Sequence, residues 1–409
     1  MNSQRDMSLQ KIVSAAEKAM TQTLGGAVQL GKAEVLRDFG YPRVLRCPVV
    51  SHASKASLDR NIPRSVIIKR YGVGRDGSYN PEEAQKPWGG LYSEWAGAQF
   101  LQGFDAMPSL GPRCFGGDAD IGIVVVEDLG NGNSLADVLQ GTDRQRLEEG
   151  LLQYCASLGR LHAATVGRAT ELEAIWSSMG KEWQANETPY RQAENWTREN
   201  LLPFQEHCSA LGVPIASGFE AEAERVWHAM AEPGNFLAFT PGDTCPDNHR
   251  LTAEGYVRFF DFEACGFRHA LLDFAYCYVP FPTCWCVLRL PKHLSPLMKN
   301  AYQQELMKGC PDACDDETFS TLLAYACTSW MISAVSWNLG EALQKDESVG
   351  LASQRQRLVL HLDAFVETMA WLDKLPAMRD TSRVMAETLH LLWGEGIEVP
   401  FYPAFTSSR

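Results

Sequence analysis

Apolar positions recur at helical spacing between residues 8 and 23 (Leu9, Ile12, Val13, Ala16, Met20), and Gly25-Gly26 closes the run, which predicts an opening amphipathic helix. The texture then changes. Val44-Leu-Arg-Cys-Pro-Val-Val50 and Val66-Ile-Ile-Lys69 are short β-branched runs, separated by the polar Ser51-His-Ala-Ser-Lys-Ala-Ser57 and a turn at Asn61-Ile-Pro63, so strand, loop and strand are expected. A Gly/Pro-rich loop from Gly72 to Gly90 leads into a helical stretch carrying Leu91, Trp95 and Ala98, and Ile121-Gly-Ile-Val-Val-Val126 predicts a further strand. After Gly130-Asn-Gly-Asn133 the period is helical almost to the end. Ser134-Leu-Ala-Asp137 reads as an N-cap with an acid in the first turn, Leu151 to His162 keeps the 3.6 period, and strand signal returns once, from Asn248 to Phe260. The predicted class is α+β and bilobal: a small mixed β-sheet lobe over residues 1–127, with residues 1–40 as a helical extension, and a large mainly helical lobe over residues 128–409.

Composition narrows the function classes. The 409 residues are 45% hydrophobic and 21% charged, close to the soluble globular average, and the length allows two or three compact units. Lys and Arg number 37 against 50 Asp and Glu, a formal charge of −13, so the cationic footprint of a nucleic-acid binder is missing. Acidity serves solubility, and it would also favour a cationic small substrate. The twelve cysteines are scattered from Cys47 to Cys327 in a chain too long to need staples, so buried reduced thiols are expected. Cys284-Trp-Cys286 and Cys310-Pro-Asp-Ala-Cys314 lack the paired knuckles of a zinc site. No signal-peptide layout opens the chain, and the strongest apolar stretch, Phe274 to Leu288, is interrupted by Pro280 and Pro282. A cytoplasmic protein without a membrane span is expected.

The chemistry concentrates between residues 239 and 263. Asp243 and Asn248 have the D-x-x-x-x-N spacing of a phosphoryl-transfer loop, and Asp261 follows on the far side of an expected hairpin that turns at Thr252-Ala-Glu-Gly255 and returns along Tyr256 to Phe260. Antiparallel pairing would bring Asn248 and Asp261 to about 5 Å at one end of that hairpin. Two oxygen donors there suit Mg²⁺, which completes its shell with water and substrate phosphates. Asp243, on the preceding loop, is left to orient and deprotonate an acceptor hydroxyl. Upstream, Lys69 ends an apolar strand as in V-A-I-K, where the ammonium meets nucleotide phosphates, and it needs a carboxylate partner. Glu94 on the following helix is the candidate, with Glu82 and Glu83 in the loop as alternatives.

The order Lys69, Glu94, Val124-Val-Val-Glu-Asp-Leu129, Leu158-Gly-Arg-Leu-His162, Asp243 to Asn248, Asp261-Phe-Glu263 and Leu272-Asp273 resembles the aminoglycoside phosphotransferase and choline kinase-like family, over roughly residues 40 to 280. The resemblance implies a bilobal protein kinase-like fold with ATP, or GTP, in the cleft. It implies that the backbone of Glu127 and Leu129 binds the purine, Lys69 the phosphates, and Glu94 holds Lys69; Asp243 is the base, and Asn248 and Asp261 hold Mg²⁺. His162 is read as a structural core histidine and Asp273 as a buried carboxylate bracing the loop. The implied activity is transfer of the γ-phosphate to a hydroxyl of a small molecule such as an aminoglycoside, a choline-like amine or a sugar. The alternative is a catalytically weak nucleotide-binding sensor or scaffold.

Several residues depart from the family's pattern. Pro241 stands where His or Asn usually braces the catalytic loop, and Thr244-Cys245-Pro246-Asp247 replaces the commoner Leu-His-Pro-Gly. Asp247 thereby adds a carboxylate, either at the surface or as an outer partner of the metal. The phosphate loop, assigned to Ser51–Ser57, has no glycine. Glu263 gives Asp-Phe-Glu, as in the small-molecule kinases. An acceptor pocket is expected between the catalytic loop and the helices after residue 280, where Trp285, Trp330, Trp337 and Glu341 lie, although Trp330 and Trp337 also have the spacing of core positions.

Overall fold

The computed structural model describes residues 2–37, 43–52, 62–72, 80, 90–104, 109–180, 189–252, 254–394 and 396–406. Helix α1 (Asn2–Leu24) precedes β1 (Val28–Leu30), β2 (Glu34–Arg37), β3 (Arg43–His52) and β4 (Ser65–Arg70), and helix α2 (Leu91–Gln102) precedes β5 (Cys114–Asp118) and β6 (Ile123–Glu127). These six strands form one sheet, in the order β1-β3-β4-β6-β5 with β2 beside β3. Every pair is antiparallel, and with α1 and α2 the sheet makes the small mixed lobe expected. The period of two along β4 and β6 divides their side chains between two cores. Val66, Ile68, Ile123 and Val125 pack with Ile12, Ala16 and Met20 of α1, whereas Val124 and Val126 belong to the main core with Leu91 and Phe100 of α2. The face that carries Ile67 and Lys69 is therefore turned away from α1.

Strands β3, β4 and β6 lie where the β-branched runs predicted them. Strands β1, β2 and β5 were not predicted: the first two are three and four residues long, and β5 carries Gly116 and Gly117. The register corrects the assignment of the phosphate loop. Arg43 and Val44 sit opposite Arg70 and Lys69, while Pro48 sits opposite Ser65, so Ser51 and His52 end β3 on the side remote from Lys69. The connection between β2 and β3, residues 38–42, is the one that leaves the strands at the Lys69 end; it lies outside the described residues, as do residues 53–57, Glu82 and Glu83.

The helical half contains α3 (Leu135–Leu139), α4 (Arg144–Thr165), α5 (Ala169–Ser178), α6 (Pro189–Ala210), α7 (Phe219–Ala231), α8 (Leu271–Tyr278), α9 (Leu294–Leu306), α10 (Asp316–Gln344), α11 (Gln354–Leu372) and α12 (Pro376–Trp393). Ser134 closes a capping box on α3, accepting from the Asp137 N–H while Asp137 accepts from its own. The predicted hairpin is β8 (His249–Leu251) with β9 (Val257–Phe259). A second small sheet, β7 (Leu237–Thr240) with β10 (Gly266–His269), was not expected. Both its strands are four residues long and almost wholly buried, so they lack the alternation that marks a strand in sequence. Helix α10 is long and apolar enough to cross a membrane by composition, and 72% of its most apolar window is buried inside the protein. The expectation of reduced thiols is corrected at one pair: Cys245 and Cys284 form a disulfide. Nine of the other ten cysteines are buried free thiols.

Helices α4 and α9 cross closely at Gly159, where a Cβ would lie 2.5 Å from the Tyr302 carbonyl oxygen. One turn on, the fully buried His162 meets the Tyr302 hydroxyl at 2.7 Å, and Tyr302 stacks on Phe274 with centroids 4.1 Å apart. His162 is thus a core residue. Gly159→Ala is expected to destabilise the fold by about 1–3 kcal/mol through overpacking against backbone, read as a lower urea midpoint with an unchanged slope; an unchanged midpoint would contradict this packing.

Candidate active site

Lys69 is the last inward-facing residue of β4, and its side chain is buried on arrival. Its ammonium lies 2.8 Å from Glu94 Oε1 and 2.6 Å from Asp261 Oδ1. Glu94, in the first turn of α2 and fully buried, uses its other oxygen to accept the Phe262 N–H at 2.6 Å. One carboxylate therefore binds both the lysine and the backbone beside Asp261. Burial alone would lower the Lys69 pKa, but Asp261 and then Glu94 more than offset it and hold the ammonium charged. For Glu94, burial outweighs Lys69 and raises the pKa; for Asp261, Lys69 outweighs burial and keeps it ionised.

The hairpin brings the other residues to the same place. His249 pairs with Phe259, and the Phe260 N–H donates to Asn248 O at 3.1 Å, so Asn248 and Asp261 stand at one end of the ladder. Asp261 then adopts φ 71°, a left-handed conformation that side-chain-bearing residues rarely hold. The Asn248 amide donates to Asp243 O at 3.2 Å, which fixes the side chain with its oxygen available for a cation. The loop carrying Asp243 approaches the Asp261–Ala264 turn through Gly242, whose φ is +92° and where a Cβ would lie 2.0 Å from Ala264 O. Asp243 Oδ1 accepts the Cys245 N–H at 3.1 Å. Asp243 is exposed as a residue, yet the surrounding protein desolvates its carboxylate, and that desolvation, with Asp261 and Asp247 adding to it, raises its pKa.

Lys69, Glu94, Glu127, Leu129, Asn248 and Asp261 all line one cavity of about 450 Å³ between the sheet and the hairpin. Val44, Ile67, Val126 and Phe260 supply apolar walls. Glu127 ends β6 at the cavity wall. Its N–H is already donated to Arg113 O at 2.8 Å, and its carboxylate, held low by Arg258 despite burial, is bonded at 2.6 Å to that guanidinium. Among the described residues the Leu129 amide and carbonyl have no hydrogen-bond partner, which leaves Leu129 as the hinge backbone open to a base.

Sequence reasoning passed over several residues. Asp128 pins the hinge, accepting from Ser65 Oγ at 2.7 Å and from the Gly130 N–H at 2.9 Å, with Arg46 Nε at 2.7 Å. Its signal was a carboxylate directly after an apolar strand. Arg37, Arg46 and Arg250 join Lys69 around the cavity, interspersed with Glu94, Glu127, Asp128, Asp137, Asp247 and Asp261. Glu263 has a buried Oε2 without a hydrogen-bond partner, and burial, reinforced mainly by Asp261, pushes its carboxyl up to about 8. Of the expected acceptor-side residues, Trp285 reaches the catalytic loop by donating to Asp247 Oδ2 at 2.9 Å, whereas Trp330 donates to Leu272 O and packs on Tyr276. Cys245, Asp247 and Cys284 are the one trio of metal-ligating type gathered within 4.8 Å among the described residues, and two of its three ligands are bonded to each other.

A divalent cation between Asn248 and Asp261 would bring Glu263 back to its ionised form. Binding of Mg²⁺ with nucleotide at pH 7 is therefore expected to release about one proton in the wild type and none in Glu263→Gln, read by calorimetry in buffers of different ionisation enthalpy. Equal proton release in both would contradict the placement of Glu263 beside the cation.

No family model and no curated protein matches the sequence. Comparison of folds finds small-molecule kinases. The choline kinase LicA from Streptococcus pneumoniae is 13% identical over 89% of this chain and 99% of its own, with a TM-score of 0.39. The macrolide 2'-phosphotransferase MphH from Brachybacterium faecium is 14% identical over 80% and 98%, with a TM-score of 0.42. The amicoumacin kinase hAmiN is 11% identical over 82% and 88%, with a TM-score of 0.45. At this distance the likeness carries no argument for function, which rests on the geometry above.

Proposed function

We propose that the protein is a phosphotransferase that moves the γ-phosphoryl of ATP, or GTP, to a hydroxyl of a small molecule. The observation that carries this reading is the buried Lys69 ammonium held by Glu94 and Asp261 in the same cavity as Asn248. An ammonium so fixed, at the polar end of a slot with apolar walls, matches a purine followed by its phosphates. Leu129 would bind the base, and Lys69 the phosphates, its direction set by Glu94.

The residues present fit Mg²⁺. Asn248 presents an amide oxygen, Asp261 a carboxylate kept ionised, and the buried Glu263 oxygen has no other partner. Mg²⁺ held there would neutralise charge on the phosphates during transfer. Asp243 sits exposed on the loop beside this site. It would orient the acceptor hydroxyl and take its proton on a carboxylate oxygen, the Cys245 N–H holding the group in place. Positioning and electrostatics account for the rate, and the protein forms no covalent bond to the phosphoryl group. An acceptor with positive charge is favoured by Asp243 and Asp247 on the loop.

Millimolar Mg·ATP or Mg·GTP is expected to raise the melting temperature, and Asp261→Asn to abolish the shift; no shift with either nucleotide would contradict the reading. Asp243→Ala is expected to keep the shift while slowing phosphoryl transfer to water or acceptor by about 10²–10⁴-fold. Unchanged transfer in that variant would remove Asp243 from the base role. The rate should also fall with decreasing pH through a carboxylate pKa above the ordinary range of about 4, because the base must be ionised.

A further inference from the structure

We propose that the Cys245–Cys284 disulfide positions Asp243 for phosphoryl transfer, so that reducing it slows the transfer and leaves nucleotide binding intact. The proposal rests on the reading of Asp243 as the base. Cys245 is bonded to both functional ends of its loop. Its N–H donates to Asp243 Oδ1 at 3.1 Å, and its carbonyl accepts the Asn248 N–H at 2.9 Å. Whatever fixes Cys245 therefore fixes the direction of the Asp243 carboxylate. The sulfur of Cys245 is tied to Cys284, 39 residues later, and the same segment grips the loop again where Trp285 Nε1 donates to Asp247 Oδ2 at 2.9 Å.

That segment is itself rigidly held. The Phe281 N–H bonds to Tyr276 O at 2.8 Å and the Cys284 N–H to Phe281 O at 3.0 Å, with Phe281 fully buried at φ 46°. A large side chain stays in that conformation only where its surroundings determine it. The C-terminal part supplies those surroundings. Arg357 on α11 donates to Pro282 O at 2.9 Å, the Leu351 N–H to Trp285 O at 2.8 Å, and the Tyr402 hydroxyl to Cys286 O at 2.9 Å. At Gly350 a Cβ would lie 1.9 Å from Trp285 O. The segment after α8 is thus tied to the loop by the Cys245–Cys284 bond and the Trp285–Asp247 hydrogen bond, and the C-terminal helices hold that segment.

A third sulfur, Cys286 Sγ, lies 3.3 Å from Cys284 Sγ. Burial pushes its thiol up to about 12, so it is a poor nucleophile and the bridge stays on Cys245. Opening the bridge takes an external dithiol: two electrons and two protons pass from the dithiol to Cys245 and Cys284, which become thiols as the dithiol closes to its own disulfide. Nucleotide contacts at Lys69, Leu129 and Asp261 lie on other elements, and Asn248, although its N–H donates to Cys245 O, is also held by the hairpin, its carbonyl accepting the Phe260 N–H at 3.1 Å.

The test uses the full chain with Mg·ATP and water as acceptor. Peptide mapping without reductant should recover the Cys245–Cys284 cross-link. Dithiothreitol should lower kcat for hydrolysis about tenfold, as for a slightly misplaced catalytic group. KM for Mg·ATP and the Mg·ATP thermal shift should not change. Removing the reductant and reoxidising should restore wild type and Cys286→Ser but not Cys284→Ser. An absent cross-link, a kcat indifferent to reduction, or a fall in kcat matched by equal loss of nucleotide binding would overturn the proposal. Oxidised protein with neither a thermal shift nor hydrolysis would overturn the phosphotransferase reading and this proposal with it; hydrolysis insensitive to reduction would overturn this proposal alone.

Discussion

The structure turns on one buried ammonium. Lys69 brings a charge into the protein from the end of β4, and Glu94 and Asp261 meet it from α2 and from the far side of the β8–β9 hairpin. Three elements distant in sequence are thereby joined at a point where burying an unpaired charge would cost several kcal/mol. Two carboxylates for one ammonium leave the group short of positive charge. Nearby Asp243 and Glu263 deepen that deficit: burial raises the pKa of both and Asp261 adds to it, while Asp261 itself is kept ionised by Lys69 against its own burial. Surplus negative charge, oxygen donors and a fixed ammonium are what the proposed metal–polyphosphate site requires.

Much of this was legible in the chain because it depends on local pattern. The runs Val66–Ile68 and Ile123–Val126 mark strands by themselves, and the alternation within them sends Ile67 and Lys69 to the cleft face. The hairpin followed from an apolar return strand and Gly255, and with it the meeting of Asn248 and Asp261. What could not be read depends on pairing between distant segments. Strands β7 and β10 are short and buried on both sides, and β5 owes its extended form to its neighbour β6 rather than to Cys-Phe-Gly-Gly-Asp. The serines and lysine of residues 51–57 suggest a phosphate loop, but they follow the end of β3 remote from Lys69, and only the register of β3 on β4 says which end lies beside it.

The cysteines and the cleft charges carry the same lesson. Spacing along the chain could not single out Cys245 and Cys284 among twelve cysteines, since their approach is set by how the turn after α8 folds back on the catalytic loop. The net charge of −13 suggested an acidic surface and concealed Arg37, Arg46 and Arg250, whose convergence with Lys69 is a property of the folded sheet and hairpin. Asp128 likewise gains its role only once β3 brings Arg46 and β4 brings Ser65 beside it. The C-terminal helices, silent in sequence beyond their period, acquire a purpose through Arg357 and Tyr402, which hold the segment that grips the loop.

The central claim is that the Lys69–Glu94–Asp261 cluster is the phosphate and metal end of a nucleotide cleft. A crystal structure of the protein with Mg²⁺ and a non-hydrolysable ATP analogue tests it most directly. The account predicts the base against Leu129, phosphate oxygens on Lys69, and the metal bound by Asn248 and Asp261. A nucleotide bound elsewhere, or a metal that leaves Asn248 and Asp261 untouched, would contradict it.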